Sequence, residues 1–111
     1  MESLESRVLL DRPCTIFWES PDELIDCTIS NISAKMATLH FENSNIPQGR
    51  FSINISFESF NFTLNAELLK PELEEEWHLP QVARFVYKSW WEKKKVNAFI
   101  KLVKKKIPQM I

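Results

Sequence analysis

Three polar residues in the first third of the chain have the types and spacing to bind a phosphodiester. Arg7 precedes the first strand-like run, and an Asn31-x-Ser33 turn follows the second. An arginine can pair bidentately with a phosphate and stack on a base, so an arginine lying over such a turn could hold a nucleotide. The alternative is that Asn31 and Ser33 are ordinary turn residues whose side chains bond their own backbone. These residues alone leave both interpretations open.

The remaining reactive residues do not indicate catalysis. His40 lies within a strand-like run and His78 in a loop, and neither is next to a candidate nucleophile along the sequence. Cys14 and Cys27 fall in strand-like runs, which favours two buried free thiols, with a bridge between neighbouring strands as the alternative. Two cysteines and two distant histidines lack the short paired spacing of a zinc site. We therefore expect no catalytic residue, no metal and no enzyme activity.

Length, glycine content and charge exclude further classes. A chain of 111 residues predicts one domain. The single glycine, Gly49, excludes a glycine-rich phosphate loop and a dinucleotide-binding fingerprint. A net charge of -1 argues against a protein built to bind duplex nucleic acid. With no apolar run of membrane-spanning length and no secretory signal in the polar N-terminus, we expect a cytoplasmic protein without a transmembrane segment.

Alternation of apolar and polar residues, which directs side chains to the two faces of a sheet, dominates residues 13–88. Six runs show this period, and turn-forming residues separate them, with Glu58-Ser59 as a tight reversal. The pattern predicts an all-β-dominated fold, a small six-stranded antiparallel barrel or sandwich that follows an N-terminal arm over residues 1–12, and of the two we expect the barrel. Its predicted hydrophobic centre contains Phe51, Ile53, Ile55, Phe57, Phe60, Phe62 and Leu64.

Helical spacing replaces the alternation after Lys88. One apolar stripe at this spacing consists of Val96, Phe99, Ile100, Val103 and Ile107. The stripe predicts a helix over about residues 89–106 that packs on the sheet, so that residues 13–107 form one domain. Ser89 is the expected N-cap, and Glu92, three residues on, completes a capping-box pattern.

The outer side of this helix is a candidate partner surface. Seven of the chain's 14 basic residues lie on the helix, and adjacent residues such as Trp90 and Trp91 point about 100° apart. One face of the barrel is therefore not expected to bury both rings. Trp90, Trp91 and Lys94 are candidates for docking an acidic protein partner or an anionic membrane. The alternative is a solvated helix face whose lysines serve solubility.

The whole layout resembles the PilZ family, bacterial receptor domains for cyclic di-GMP. That family combines a six-stranded barrel and a C-terminal helix with two motifs, Arg-x-x-x-Arg before the first strand and (Asp/Asn)-x-Ser-x-x-Gly after the second. Arg7 falls in the place of the second motif arginine, and Asn31 and Ser33 match the polar residues of the turn. The resemblance implies a non-catalytic signalling module with cyclic di-GMP as its ligand and no other cofactor.

Two departures from the family pattern affect the expected affinity. Ser3 stands where the first arginine should be, and Met36 stands where the glycine should be. Losing one arginine–phosphate contact costs about 1.5–3 kcal/mol, roughly 10- to 100-fold in affinity. Met36 also adds a bulky side chain where the family's backbone turns sharply. An alternative register pairs Arg7 with Arg12 across four residues instead of three, and makes Arg12 a further ligand contact.

We therefore expect cyclic di-GMP binding to be weak or lost. The alternative function is a protein–protein adaptor of a motility, pilus or exopolysaccharide system that does not bind the nucleotide. A single-stranded nucleic-acid module is disfavoured because the predicted strands carry few lysines or arginines. The oligomeric state stays open.

Overall fold

The computed structural model describes residues 7–18, 24–42, 46–47, 49–69 and 79–109. The alternating segments form six strands, and the segment with helical spacing forms one helix, which confirms the predicted fold class. In chain order the elements are β1 (Val8–Phe17), β2 (Leu24–Ile32), β3 (Met36–Phe41), β4 (Arg50–Phe57), β5 (Phe60–Leu68), β6 (Gln81–Val86) and α1 (Trp90–Lys106).

The strands close into an antiparallel barrel in the order β1-β2-β3-β6-β5-β4. Consecutive strands pair within β1–β3 and within β4–β6, and the pairs β3–β6 and β1–β4 join these two halves. The predicted reversal at Glu58-Ser59 is confirmed: Phe57 lies opposite Phe60, and Glu58 adopts a left-handed φ of 55°. Closure removes most of the free sheet edge that a small open sheet would expose.

The barrel interior contains one alternating set of side chains from every strand. The prediction for β4 and β5 is confirmed at Phe51, Ile53, Ile55, Phe62 and Leu64, which are all buried. Phe57 and Phe60, at the tip of the β4–β5 hairpin, are only half-buried and pack against this core. These two residues are less buried because the hairpin tip packs against the helix and not against the opposite wall of the barrel.

Helix α1 docks through the predicted stripe, since Val96, Phe99, Ile100 and Val103 are all buried. The ring of Phe99 packs edge-on against Phe57, Phe60 and Phe62, with centroid distances of 6.1, 5.6 and 5.2 Å. This contact fastens the helix to the β4–β5 hairpin.

The start of α1 differs in detail from the capping-box prediction. Ser89 occupies the N-cap position with extended backbone, but its side chain makes no cap hydrogen bond. Glu92 accepts a hydrogen bond from the Lys88 backbone N–H at 2.5 Å, one residue before the expected partner. The Glu92 carboxylate therefore pairs with a backbone N–H just before the helix, and the Ser89 hydroxyl takes no part in the cap.

The first strand begins at Val8, five residues before the predicted start, so residues 8–12 belong to the barrel wall and not to an arm. Arg12 interrupts the alternation of buried residues, which hid the strand from sequence reasoning. A bulge between Leu9 and Arg12, with Asp11 at a left-handed φ of 48°, carries strand pairing across this interruption. Residues 1–6, including Ser3, lie outside the described residues.

The segment after α1 returns to the same part of β1. The side-chain amide of Gln109 accepts the Leu9 backbone N–H at 2.6 Å and donates to the Leu9 carbonyl at 3.1 Å. A side-chain amide both donates and accepts, so it can pair with the backbone of one strand residue as a neighbouring strand would. The C-terminal segment is thereby tied to the strand that contains the bulge.

Candidate functional site

Ser33 organises the tight turn between β2 and β3. Its hydroxyl accepts the backbone N–H groups of Lys35 and Met36 at 3.3 and 3.2 Å, and donates to the Met36 carbonyl at 3.2 Å. The Ser33 backbone N–H donates to the same carbonyl at 2.8 Å. With an exposed fraction of 0%, Ser33 presents no surface to a ligand in this conformation. Its side chain has the backbone-bonding role that serine commonly has in turns.

Strand β6 and the residue after it hold this turn from a second side. The Phe85 backbone N–H donates to the Lys35 carbonyl at 2.9 Å. The Tyr87 hydroxyl donates to the Ala34 carbonyl. Turning the Ser33 hydroxyl outward would therefore disturb a turn whose backbone groups are bonded both internally and to its neighbour.

Asn31 is the more accessible polar residue of the turn motif. It lies half-buried near the end of β2, between Leu9 of β1 and Thr38 of β3 in the strand register. Its side-chain oxygen accepts a hydrogen bond from the Thr38 hydroxyl at 3.0 Å. This bond orients the amide across the sheet and leaves its side chain partly open to solvent.

Arg7 lies beside the same turn, immediately before β1. A guanidinium nitrogen of Arg7 lies 3.9 Å from the Met36 sulfur. Arg7 therefore rests against the side chain of Met36, which stands where the motif described above has glycine. The Nε atom of Arg7 is buried and has no hydrogen-bond partner among the described residues. A buried unpaired donor costs about 1–3 kcal/mol, so an anion that reached it would be bound favourably.

Arg12 is directed elsewhere. Its guanidinium donates to the backbone carbonyls of Asp11 at 3.1 Å and Leu10 at 3.5 Å. It also lies 5.4 Å from the centroid of the Phe57 ring, in cation–π geometry. The structure thus gathers Arg7, Asn31 and Ser33 around one turn, while Arg12 contacts the hairpin that supports the helix.

A solved structure shares this architecture over nearly its whole length. The PilZ domain of CeSA from a cellulose-synthesizing bacterium matches with a TM-score of 0.66, covering 87% of this chain and 96% of that chain. The chain has the PilZ fold. Sequence identity in this match is 8%, so the likeness is one of fold. No family model matches the sequence, and no curated protein does.

The surface of this PilZ barrel also bears an aromatic cluster at the start of α1. Trp90 and Trp91 are 63% and 67% exposed, and their rings meet edge-to-face with centroids 4.8 Å apart. The Lys94 ammonium lies 4.8 Å from the Trp90 ring and 5.5 Å from the Trp91 ring. The expectation that one face would not bury both rings is correct, and the three partner-surface candidates lie together.

Charge is strongly segregated on the molecule. Residues 88–106 contain eight lysines and one glutamate, a net charge of +7, whereas the rest of the chain has six basic and 14 acidic residues. All eight lysines are exposed. A positive face of this kind attracts anionic partners and raises their rate of encounter. The near-zero total charge conceals this local field.

Other chemistry finds little support in the described residues. His40 lies in β3 opposite Thr28, and His78 falls outside the described part of the chain. Among the residues described, no cluster of three or more His, Cys, Asp or Glu could hold a metal ion. No helix in those same ranges is both long and apolar enough to cross a bilayer.

The sequence analysis did not predict two contacts that β1 makes with other parts of the chain. Phe57 was expected to be a core residue, and its ring also contacts the guanidinium of Arg12 as well as the ring of Phe99. Gln109 bonds the backbone of Leu9 across 100 residues of sequence. No local pattern marks such a pairing, although an aromatic residue at a hairpin tip is a recognisable site for stacking an arginine.

Proposed function

We propose that this PilZ barrel is a non-catalytic cyclic di-GMP signalling module in which nucleotide binding is weak or lost. The observation that carries the proposal is the state of the turn at residues 31–36. There the Ser33 hydroxyl is buried and bonded to the backbone, and Met36 contacts Arg7. A ligand phosphate would have to compete with these contacts for the same groups.

Residual affinity would come from Arg7 and Asn31. Arg7 retains a donor without a partner among the described residues, and Asn31 is partly open. The first motif arginine is replaced by Ser3. One charged hydrogen-bonding contact contributes about 1.5–3 kcal/mol, so its absence weakens binding roughly 10- to 100-fold. Arg12 does not compensate for this loss, because its guanidinium is turned towards Phe57.

Calorimetric titration with cyclic di-GMP tests the proposal. We expect a dissociation constant above micromolar for the natural sequence and a further loss in Arg7→Ala. Arg50→Ala is a matched control, because Arg50 is an exposed arginine at the start of β4. The proposal would be overturned by a submicromolar dissociation constant for the natural sequence, if Arg7→Ala abolished the binding and Arg50→Ala preserved it. The protein would then be a tight cyclic di-GMP receptor.

The aromatic cluster favours a second function, that of a protein–protein adaptor. Trp90 and Trp91 together present large exposed rings, the type of side chain that dominates binding hot spots. Lys94 and its neighbouring lysines supply a positive field beside them. This combination suits an acidic protein surface with an apolar pocket, which we propose as the partner of this face.

A comparison of two double variants tests the adaptor function. Trp90→Ala/Lys94→Glu removes a ring and reverses one charge within the cluster. Leu24→Ala/Lys105→Glu truncates an exposed apolar side chain and reverses one charge at positions outside the cluster. After circular dichroism confirms folding, the first variant should lose a partner that the wild type and the second variant both recover from the host. If all three proteins recovered the same partners equally, the aromatic cluster would not be a binding surface.

A further inference from the structure

Two cysteines face each other across the first strand pair of the barrel. Cys14 of β1 and Cys27 of β2 are direct Cα partners in the antiparallel register. Both are free thiols and both are buried, at 6% and 3% exposed. Their sulfur atoms lie 3.0 Å apart, within hydrogen-bonding distance. These are the two cysteines of the chain, and the fold brings them into contact.

The register already meets the main geometric requirement for a disulfide. Directly opposed residues in antiparallel strands have Cα atoms about 4.5–5.5 Å apart, inside the roughly 4.4–6.8 Å that disulfides span. Pairing is continuous on both sides, from Pro13 opposite Thr28 to Thr15 opposite Asp26. Closing the bond therefore requires side-chain rotation and little movement of the strands.

A groove on the barrel surface lies beside this pair of cysteines. It has a volume of about 470 Å³, and Cys14 and Cys27 both contribute to its lining. Asp26 and Glu42 also line it, which disfavours an anionic oxidant and favours a small neutral one. The hydrogen bond between the two thiols, together with burial, raises the pKa of Cys14, so Cys14 keeps its proton at neutral pH.

We propose that Cys14 and Cys27 form a reversible redox pair that closes to a cross-strand disulfide when a small neutral disulfide or similar two-electron oxidant is present. This pair is separate from the residues of the candidate nucleotide site and of the aromatic cluster. Its closure would tie β1 to β2 three residues after Asp11, in the strand pair that also holds Leu9 opposite Asn31. Oxidation would thereby fix the wall that supports the turn at residues 31–36.

The exchange balances in two steps. One cysteine loses its proton and attacks a sulfur of the small disulfide, forming a mixed disulfide as the first small thiolate leaves and takes up that proton. The second cysteine then attacks the protein sulfur of the mixed disulfide. The protein disulfide forms, the bond to the second small thiol breaks, and that thiol leaves with the second proton. Two protein thiols are oxidised, and one small disulfide is reduced to two thiols.

A redox titration in 2-hydroxyethyl disulfide and 2-mercaptoethanol tests the proposal, with intact mass after alkylation as the readout. The quantity to compare is the ratio of disulfide concentration to squared thiol concentration at which half of the protein is oxidised. We expect this ratio to be about 100-fold lower for the folded protein than for the chain in concentrated urea, because the fold holds the sulfurs together. The oxidised protein should also melt roughly 10 °C or more above the reduced one.

Cys27→Ser, with its fold checked by circular dichroism, is the control and should show neither the loss of two alkylation sites nor the rise in melting temperature. Equal closure by folded and unfolded chains would overturn the proposal. A disulfide that joins two chains would also overturn it. The same holds if both thiols of the folded protein can still be alkylated under conditions that fully oxidise the unfolded chain.

Discussion

Removing the Phe99 side chain should weaken the docking of the helix on the barrel and cost a large part of the stability. Phe99 is fully buried and packs edge-on against three phenylalanine rings with centroids between 5.2 and 6.1 Å away. Truncation of a buried phenylalanine to alanine costs about 3–5 kcal/mol, through lost transfer free energy and the cavity that remains. Edge-to-face pairs contribute about 0.5–1.5 kcal/mol each beyond that burial, which places Phe99→Ala towards the upper end.

Urea unfolding followed by circular dichroism measures this loss. A domain of this size has a free energy of unfolding of about 5–15 kcal/mol, so the midpoint should fall markedly while the slope stays near that of the wild type. Trp91→Ala on the same helix is the matched control, since an exposed aromatic residue should change stability by about 0.5 kcal/mol or less. A loss below about 1 kcal/mol for Phe99→Ala, or equal losses in both variants, would refute docking through this ring.

Three further predictions concern the barrel wall, the turn and the C-terminal segment. Ile55→Ala should cost about 2–5 kcal/mol in urea unfolding because Ile55 is buried in β4, and a loss below roughly 0.5 kcal/mol would mean that its register is wrong. Ser33→Ala should lower the free energy of unfolding by about 1–3 kcal/mol, since the hydroxyl bonds the turn, whereas a residue that served a ligand alone would leave stability unchanged. Gln109→Ala should speed hydrogen exchange at the Leu9 amide, measured by NMR, and an unchanged rate would argue against the amide pairing with β1.

Local periodicity was sufficient to predict the barrel and the helix. The alternation from Phe51 to Phe57 assigned the inner face of β4, and the stripe from Val96 to Val103 assigned the docking face of α1. Both patterns depend on neighbouring residues, which sequence reveals directly. The reversal at Glu58-Ser59 was predicted for the same reason, because the two strands around it keep an unbroken alternation.

Features set by a single backbone conformation or by distant pairing could not be predicted in this way. The bulge beside Arg12 depends on a left-handed φ at Asp11, and no glycine stands at that position to indicate it in the sequence. The contact between Gln109 and Leu9 joins the two ends of the chain. Residue types in the turn motif identified Asn31 and Ser33, but both a ligand role and a turn role were consistent with them. The bonds of the Ser33 hydroxyl favour the turn role.

The most direct test of the central claim, that the residues at positions 3 and 36 weaken nucleotide binding, is calorimetry with cyclic di-GMP on the natural sequence and on Ser3→Arg/Met36→Gly. The variant places an arginine at the first motif position and removes the side chain against which Arg7 rests. We predict a dissociation constant above micromolar for the natural sequence and at least about 10-fold tighter binding for the variant. A submicromolar constant for the natural sequence, with no gain in the variant, would contradict the account.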